Sequence, residues 1–220
     1  MIADDKCWKM VSRCARGRRG SRRGDLAAWG DDTTPTSTGP SSSAYQPPTF
    51  TPSSESLDQL RSQAALAPCP TPTGEAPTGS ALAGITLDCV SDGAPVDLAA
   101  AVGGKPTLLN LWAYWCAPCA EELPYLQEFA ERADGSINVL TVHSDPNQEN
   151  ALTRLIDYSV RLPGVQDGDG KVRIAVGAPP VLPVSVLVRA DGTVAKVLPQ
   201  PFRSADEIAA AAAQYLGVVV

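Results

Sequence analysis

Cys116 and Cys119, separated by Ala117 and Pro118, are the residues whose type and spacing carry the clearest chemistry in this 220-residue chain. A thiolate attacks a disulfide sulfur and forms a mixed disulfide. A second thiol two residues further on can then displace the partner and close an internal disulfide, so the pair exchanges two electrons with a substrate. Six cysteines are present, namely Cys7, Cys14, Cys69, Cys89, Cys116 and Cys119, and one pair alone has C-x-x-C spacing. A structural zinc site usually needs two such pairs or nearby histidines, and the one histidine is His143. No metal and no cofactor are expected.

The elements around the pair decide what it does. Thr107 to Ala113 is a near-continuous apolar run of the length of a central strand buried on both faces. A helical pattern follows from Cys119 to about Ala133, with Leu123, Leu126, Phe129 and Ala130 at helical spacing and Pro124 expected to kink it. The motif thus sits at a strand-to-helix junction. There the free N–H groups and the macrodipole favour a thiolate on the first cysteine. Cys116 is expected to be the nucleophile and Cys119, a turn along, the resolving thiol; Pro118 suits the first helical turn. A structural or metal-binding pair is the competing reading, and the junction argues against it.

Elsewhere, Ile85 to Cys89 and Pro95 to Leu98 flank Ser91-Asp92-Gly93 and read as an N-terminal hairpin. Ile137 to Val142 reads as a second buried strand and Asn147 to Tyr158 as a helix. Gln166 to Lys171 reads as a loop, and Val181 to Val188 as a strand interrupted by Pro183. A turn at Arg189 to Gly192 leads into a strand over Val194 to Leu198. Ser204 caps a last helix ending near Leu216, with Asp206 and Glu207 in its first turn. The fold class is α/β, a mixed central sheet flanked by helices.

Asn110-Leu111-Trp112-Ala113-Tyr114-Trp115-Cys116-Ala117-Pro118-Cys119 resembles the thioredoxin superfamily, and Ala120-Glu121-Glu122-Leu123-Pro124 makes it similar to the TlpA/ResA type of extracytoplasmic thiol–disulfide oxidoreductase. The resemblance covers about Ala81 to Gly217 and implies a thioredoxin-like fold. It also implies that Pro183, in Leu182-Pro183-Val184, is cis, with Leu182 facing the cysteines and offering its backbone to a substrate chain. Glu122 would be a carboxylate under the motif that tunes the cysteine pair's protons, or else a surface helix carboxylate. Trp115 would shield the disulfide, or simply pack. His143 matches no role in the motif and is read as structural. Ala117 departs from the glycine or charged residue common there in relatives, and with Pro118 it bears on the direction of electron flow.

Cys69 and Cys89 could form a structural disulfide closing a loop of about 20 residues, worth roughly 3 kcal/mol in the chain-entropy model, or remain two free thiols. The disulfide would require an oxidising compartment. Cys7 and Cys14 receive no assignment.

Composition divides the chain further. Between Asp31 and Ser56, 18 of 26 residues are Ser, Thr or Pro, too few apolar groups to offset ordering entropy. Residues 31–80 are therefore read as a linker and 81–220 as the thioredoxin-like domain. Residues 1–30 read as a disordered basic tail, rich in arginine from Arg13 to Arg23, with binding to anionic lipid or nucleic acid as its other reading and a remnant targeting region as its origin. From Ala81 onward 16 acids face 9 bases, which argues against nucleic acid as a partner. No intact signal peptide is visible; Leu26-Ala27-Ala28-Trp29-Gly30 has the outline of a lipoprotein box with Trp29 in place of the cysteine. The linker and surplus cysteines still fit an extracytoplasmic, membrane- or surface-tethered protein whose start codon is misplaced.

Three functions stay open. The first, which the resemblance implies, is reduction of disulfides in exported proteins, with apocytochrome c one candidate, using electrons from a membrane thiol donor. The second is a dithiol oxidase that introduces disulfides. The third is a thioredoxin-fold interaction module without turnover. A monomer is expected.

Overall fold

The computed structural model describes residues 54–72 and 74–220. The basic tail, the Trp29 box, Cys7, Cys14 and the first part of the Ser/Thr/Pro-rich segment lie outside the described residues.

Helix α1 (Ser54–Ala64) lies inside the segment that composition assigns to a linker. Most of the Ser, Thr and Pro residues that define that segment precede it. Leu57, Leu60 and Ala64 recur at helical spacing, and all three pack on the core beside Ala151, Leu152 and Leu155. Ser56 Oγ donates to Glu149 Oε1 (2.8 Å), and the Arg61 guanidinium donates to the Val90 carbonyl (3.3 Å). The globular body thus includes residues well before Ala81, because this helix draws its burial from elements nearly a hundred positions away.

Strands β1 (Thr86–Cys89) and β2 (Pro95–Asp97) form the antiparallel hairpin, and the Asp97 side chain caps the short helix α2 (Leu98–Val102) that follows. Next come β3 (Thr107–Trp112), α3 (Ala117–Ala133), β4 (Asn138–His143) and α4 (Gln148–Asp157). Gln166 to Lys171, expected as loop, holds the end of β5 (Gly164–Gln166) and the start of α5 (Lys171–Ala175). Three residues leave little periodicity to read. Buried Asp167 nucleates the helix by accepting the Lys171 and Val172 N–H groups at 2.8 and 2.9 Å. The chain closes with β6 (Val184–Val188), β7 (Val194–Leu198) and α6 (Ala205–Leu216), the last capped by Ser204.

The seven strands lie in the order β2-β1-β5-β4-β3-β6-β7. The β3–β4 and β4–β5 pairs are parallel and the other four antiparallel, so this is a thioredoxin-like mixed sheet. Every residue of β3 is buried, as a strand covered on both faces must be. Leu108 and Trp112 face α1, α3, α4 and α6, while Leu109 and Leu111 face α2 and α5. A disulfide joins Cys69 to Cys89 of β1 and ties the segment after α1 to the strand next to the sheet edge. Among the described residues no helix is long and apolar enough to cross a membrane.

Candidate active site

β3 ends at Trp112, and four residues later Cys116 serves as the N-cap of α3. Its backbone is extended, its carbonyl accepts from Ala120 N–H at 3.1 Å, and its Sγ accepts from Cys119 N–H at 3.3 Å. A sulfur at an N-cap faces the unpaired amides of the first turn, an arrangement that favours the thiolate once the bond to Cys119 is opened. The two sulfurs form a disulfide here. Cys116 is 6 % exposed and Cys119 1 %, so the outer sulfur is the one a partner can reach. Proline at position 118 leaves no hydrogen bond unmade, since a first-turn N–H has no helical acceptor.

The Leu182–Pro183 peptide bond is cis. Pro183 is buried, and Leu182 packs half-buried against both halves of the core, one of which contains Cys116 and Cys119. The β3–β6 register begins with Leu111 opposite Val184, so Leu182 lies just outside the ladder.

Glu122 is wholly buried, in contrast to an ordinary first-turn acid. It sits three residues beyond Cys119, on the same face of α3. Its Oε1 accepts from Phe202 N–H at 2.9 Å and its Oε2 from Asn110 Nδ2 at 2.8 Å. Burial raises its pKa to about 7, opposed by the Phe202 N–H and then by the Asn110 amide. A carboxyl poised there can take or give a proton at neutral pH.

Trp115 is 60 % exposed, and its indole N–H donates to Asp145 Oδ2 at 2.9 Å. His143 is buried against Trp112, with ring centroids 5.0 Å apart and Nδ1 3.0 Å from Gln166 Oε1. Burial holds its pKa below the ordinary value. Gln166 Nε2 in turn donates to the Asp145 carbonyl, so His143 belongs to the frame that seats Trp115. Beside the motif, Pro118, Glu121, Tyr125, Pro201, Phe202 and Arg203 line an open groove of about 310 Å³.

The structure therefore gathers Cys116, Cys119 and Glu122 along α3, with Trp115 at the rim and the Pro183 strand beside β3. Cys69 and Cys89 lie apart, with Cys89 in β1, next to the edge strand β2. Sequence reasoning passed over Asn110, Ser185, Phe202 and Asp145. Two of them carried a signal, since Asn110 and Ser185 are polar residues within otherwise apolar strands. Among the described residues no cluster of three or more His, Cys, Asp or Glu is placed to hold a metal ion.

This fold and site define a class: the chain belongs to the Redoxin family, whose model matches residues 72–214. Among curated proteins it is 38 % identical over 96 residues to the thiol:disulfide interchange protein CycY of Rhizobium leguminosarum bv. viciae, which covers 43 % of this chain and 50 % of that protein. It is 30 % identical over 97 residues to the thiol-disulfide oxidoreductase ResA of Oceanobacillus iheyensis, covering 43 % of this chain and 50 % of that protein. The chain thus spans about half the length of the curated relatives it matches. A secreted Mycobacterium tuberculosis disulfide oxidoreductase homologous to E. coli DsbE superposes with a TM-score of 0.51 at 27 % identity, covering 59 % of this chain and 95 % of that one.

Proposed function

We propose that this protein is a thiol–disulfide oxidoreductase that reduces disulfides of exported proteins with the Cys116/Cys119 pair. The single observation that carries the reading is Cys116 as N-cap of α3, disulfide-linked to Cys119, with a buried carboxyl one turn below. In the reduced protein the Cys116 thiolate attacks one sulfur of the substrate disulfide and expels the other as a thiolate. Glu122 takes the Cys119 proton, and the Cys119 thiolate attacks Cys116 Sγ. The second substrate sulfur leaves and gains a proton. The substrate is reduced by two electrons, and the protein ends in the oxidised form described above. A thiol donor must then restore the dithiol, and a membrane thiol carrier fits that need.

Substrate backbone is held by Leu182, which lies free of the β3–β6 ladder, and its side chains rest in the groove between Pro118 and Phe202. Trp115, seated by Asp145, closes the other side of the disulfide. The Cys69–Cys89 bond supports an oxidising compartment, in keeping with relatives that include a secreted protein. Apocytochrome c is one candidate substrate. The protein acts as a monomer outside the cytoplasm, held near the membrane through the residues that precede the domain.

The test is turnover of a disulfide-containing peptide by full-length protein and by Cys116→Ser, joined to the equilibrium potential of the pair. Loss of turnover in the variant with a potential of about −270 mV or lower supports the reductase. Turnover that survives Cys116→Ser removes the redox reading and leaves an interaction module. A potential near −120 mV makes the protein a disulfide donor instead.

A further inference from the structure

Asn110 is a polar residue inside a strand whose six positions are all buried. An aliphatic side chain there would bury at no polar cost. The amide instead points its Nδ2 at two oxygens, Glu122 Oε2 at 2.8 Å and Ser185 Oγ at 3.3 Å. Among the described residues that choice leaves its own Oδ1 buried without a partner, and a buried acceptor left unmade is costly. Turning the amide over would set Oδ1 against the Glu122 carboxyl oxygen. The orientation observed is the one an ionised carboxylate demands, and Ser185 gives the amide a second reason to keep it. An amide used only for packing would have no call for this arrangement.

Three elements close on Glu122 of α3. β3 brings Asn110, β6 brings Ser185 behind it, and the segment after β7 brings the Phe202 N–H. None of these puts a charged side chain on the carboxyl. The other titratable groups nearby are Cys119, a turn back on α3, and Glu121 and Arg203 at the surface groove. The carboxylate thus depends on two neutral donors, one from backbone and one from a side chain that mutation can remove.

We propose that Asn110, aimed by Ser185, is a positioning residue that holds the ionised Glu122 carboxylate ready to accept the Cys119 proton. The inference rests on the reading of Glu122 as the base of the cysteine pair and names the residues that set it. Ser185 stands two residues after Pro183, so the strand that receives substrate and the carboxylate beneath the motif share one hydrogen-bonded line.

The experiment follows the Glu122 carboxyl carbon by NMR in the oxidised full-length chain, where the two cysteines do not titrate. Asn110→Leu keeps the forked outline of the side chain, with two methyl groups in place of O and NH2, and removes the donor. A hydrogen bond to a charged group of ordinary strength corresponds to a rise of about one to two pH units in the Glu122 inflection. Ser185→Ala moves the inflection up by less, and Ser185→Thr, which retains the hydroxyl, returns it to the wild-type value. Should Asn110→Leu fail to fold, the Ser185 pair decides alone. An inflection unmoved in Asn110→Leu, or unmoved in Ser185→Ala, overturns the proposal. The underlying reading is tested separately by the pH–rate profile of disulfide reduction in Glu122→Gln. A profile identical to wild type there removes Glu122 as the base, whatever the NMR titration of the other variants shows.

Discussion

Replacing Glu122 with glutamine will make the oxidised protein more stable at pH 8 and leave it close to wild type at pH 4. Glu122 is wholly buried, and its pKa rises from the ordinary 4.5 to about 7, chiefly through burial. A carboxyl raised in the folded state contributes stability that is fully present below the unfolded pKa. That contribution is lost as pH climbs from about 4.5 to about 7, because the unfolded chain ionises first. At roughly 1.4 kcal/mol per pH unit, the interval corresponds to about 3 kcal/mol. Glutamine keeps an oxygen for the Phe202 N–H and offers Asn110 Oδ1 a donor once that amide turns over. His143 works in the opposite sense. Its pKa is lowered by burial, so its contribution is present above the ordinary value and lost as pH falls. Since His143 is common to both proteins, the difference between wild type and Glu122→Gln isolates the carboxyl. Urea unfolding of both oxidised proteins at unit steps from pH 4 to pH 8 measures it. Parallel stability curves across that range would refute the assignment of a raised pKa to Glu122.

Three further outcomes follow from the packing. Removing the Cys69–Cys89 bond by replacing both cysteines with alanine will lower stability by roughly 3 kcal/mol, as expected for a bond spanning 20 positions; an unchanged urea midpoint with the same m-value would count against it. Phe129 is fully buried between α3 and the sheet, and Phe129→Ala will cost about 3–5 kcal/mol in chemical unfolding, whereas a cost under 1 kcal/mol would show that the site collapses. Asp145→Ala will deprive the Trp115 indole of its acceptor. Its N–H resonance will move upfield while that of buried Trp112 stays in place, and a Trp115 signal that does not move would mean the pair does not form in solution.

Much of the architecture was legible because its signals are local. The apolar run at 107–113, the helical spacing of Leu123, Leu126 and Phe129, and the Ser204 cap each act within a few residues, and β3, α3 and α6 formed where they indicated. The elements that escaped either draw their stability from afar or are too short to show a period. α1 draws its burial from α4, β5 is three residues long and paired on both sides, and α2 and α5 are five residues each.

The candidate site divides in the same way. The disulfide between Cys116 and Cys119 at a strand-to-helix junction was legible from the chain alone, since an N-cap sulfur and its bonded partner are only three residues apart. Whether Glu122 was a surface acid or a buried carboxyl could not be read from its place on the helix. That depended on Asn110 twelve residues before it, Phe202 eighty residues after it, and Ser185 behind the Asn110 amide. Local sequence determined where the two sulfurs sit, because covalent spacing and a helix terminus suffice for that. Tertiary structure decided the proton, because a carboxyl's charge is set by the water it loses and by donors that only the folded sheet brings within reach.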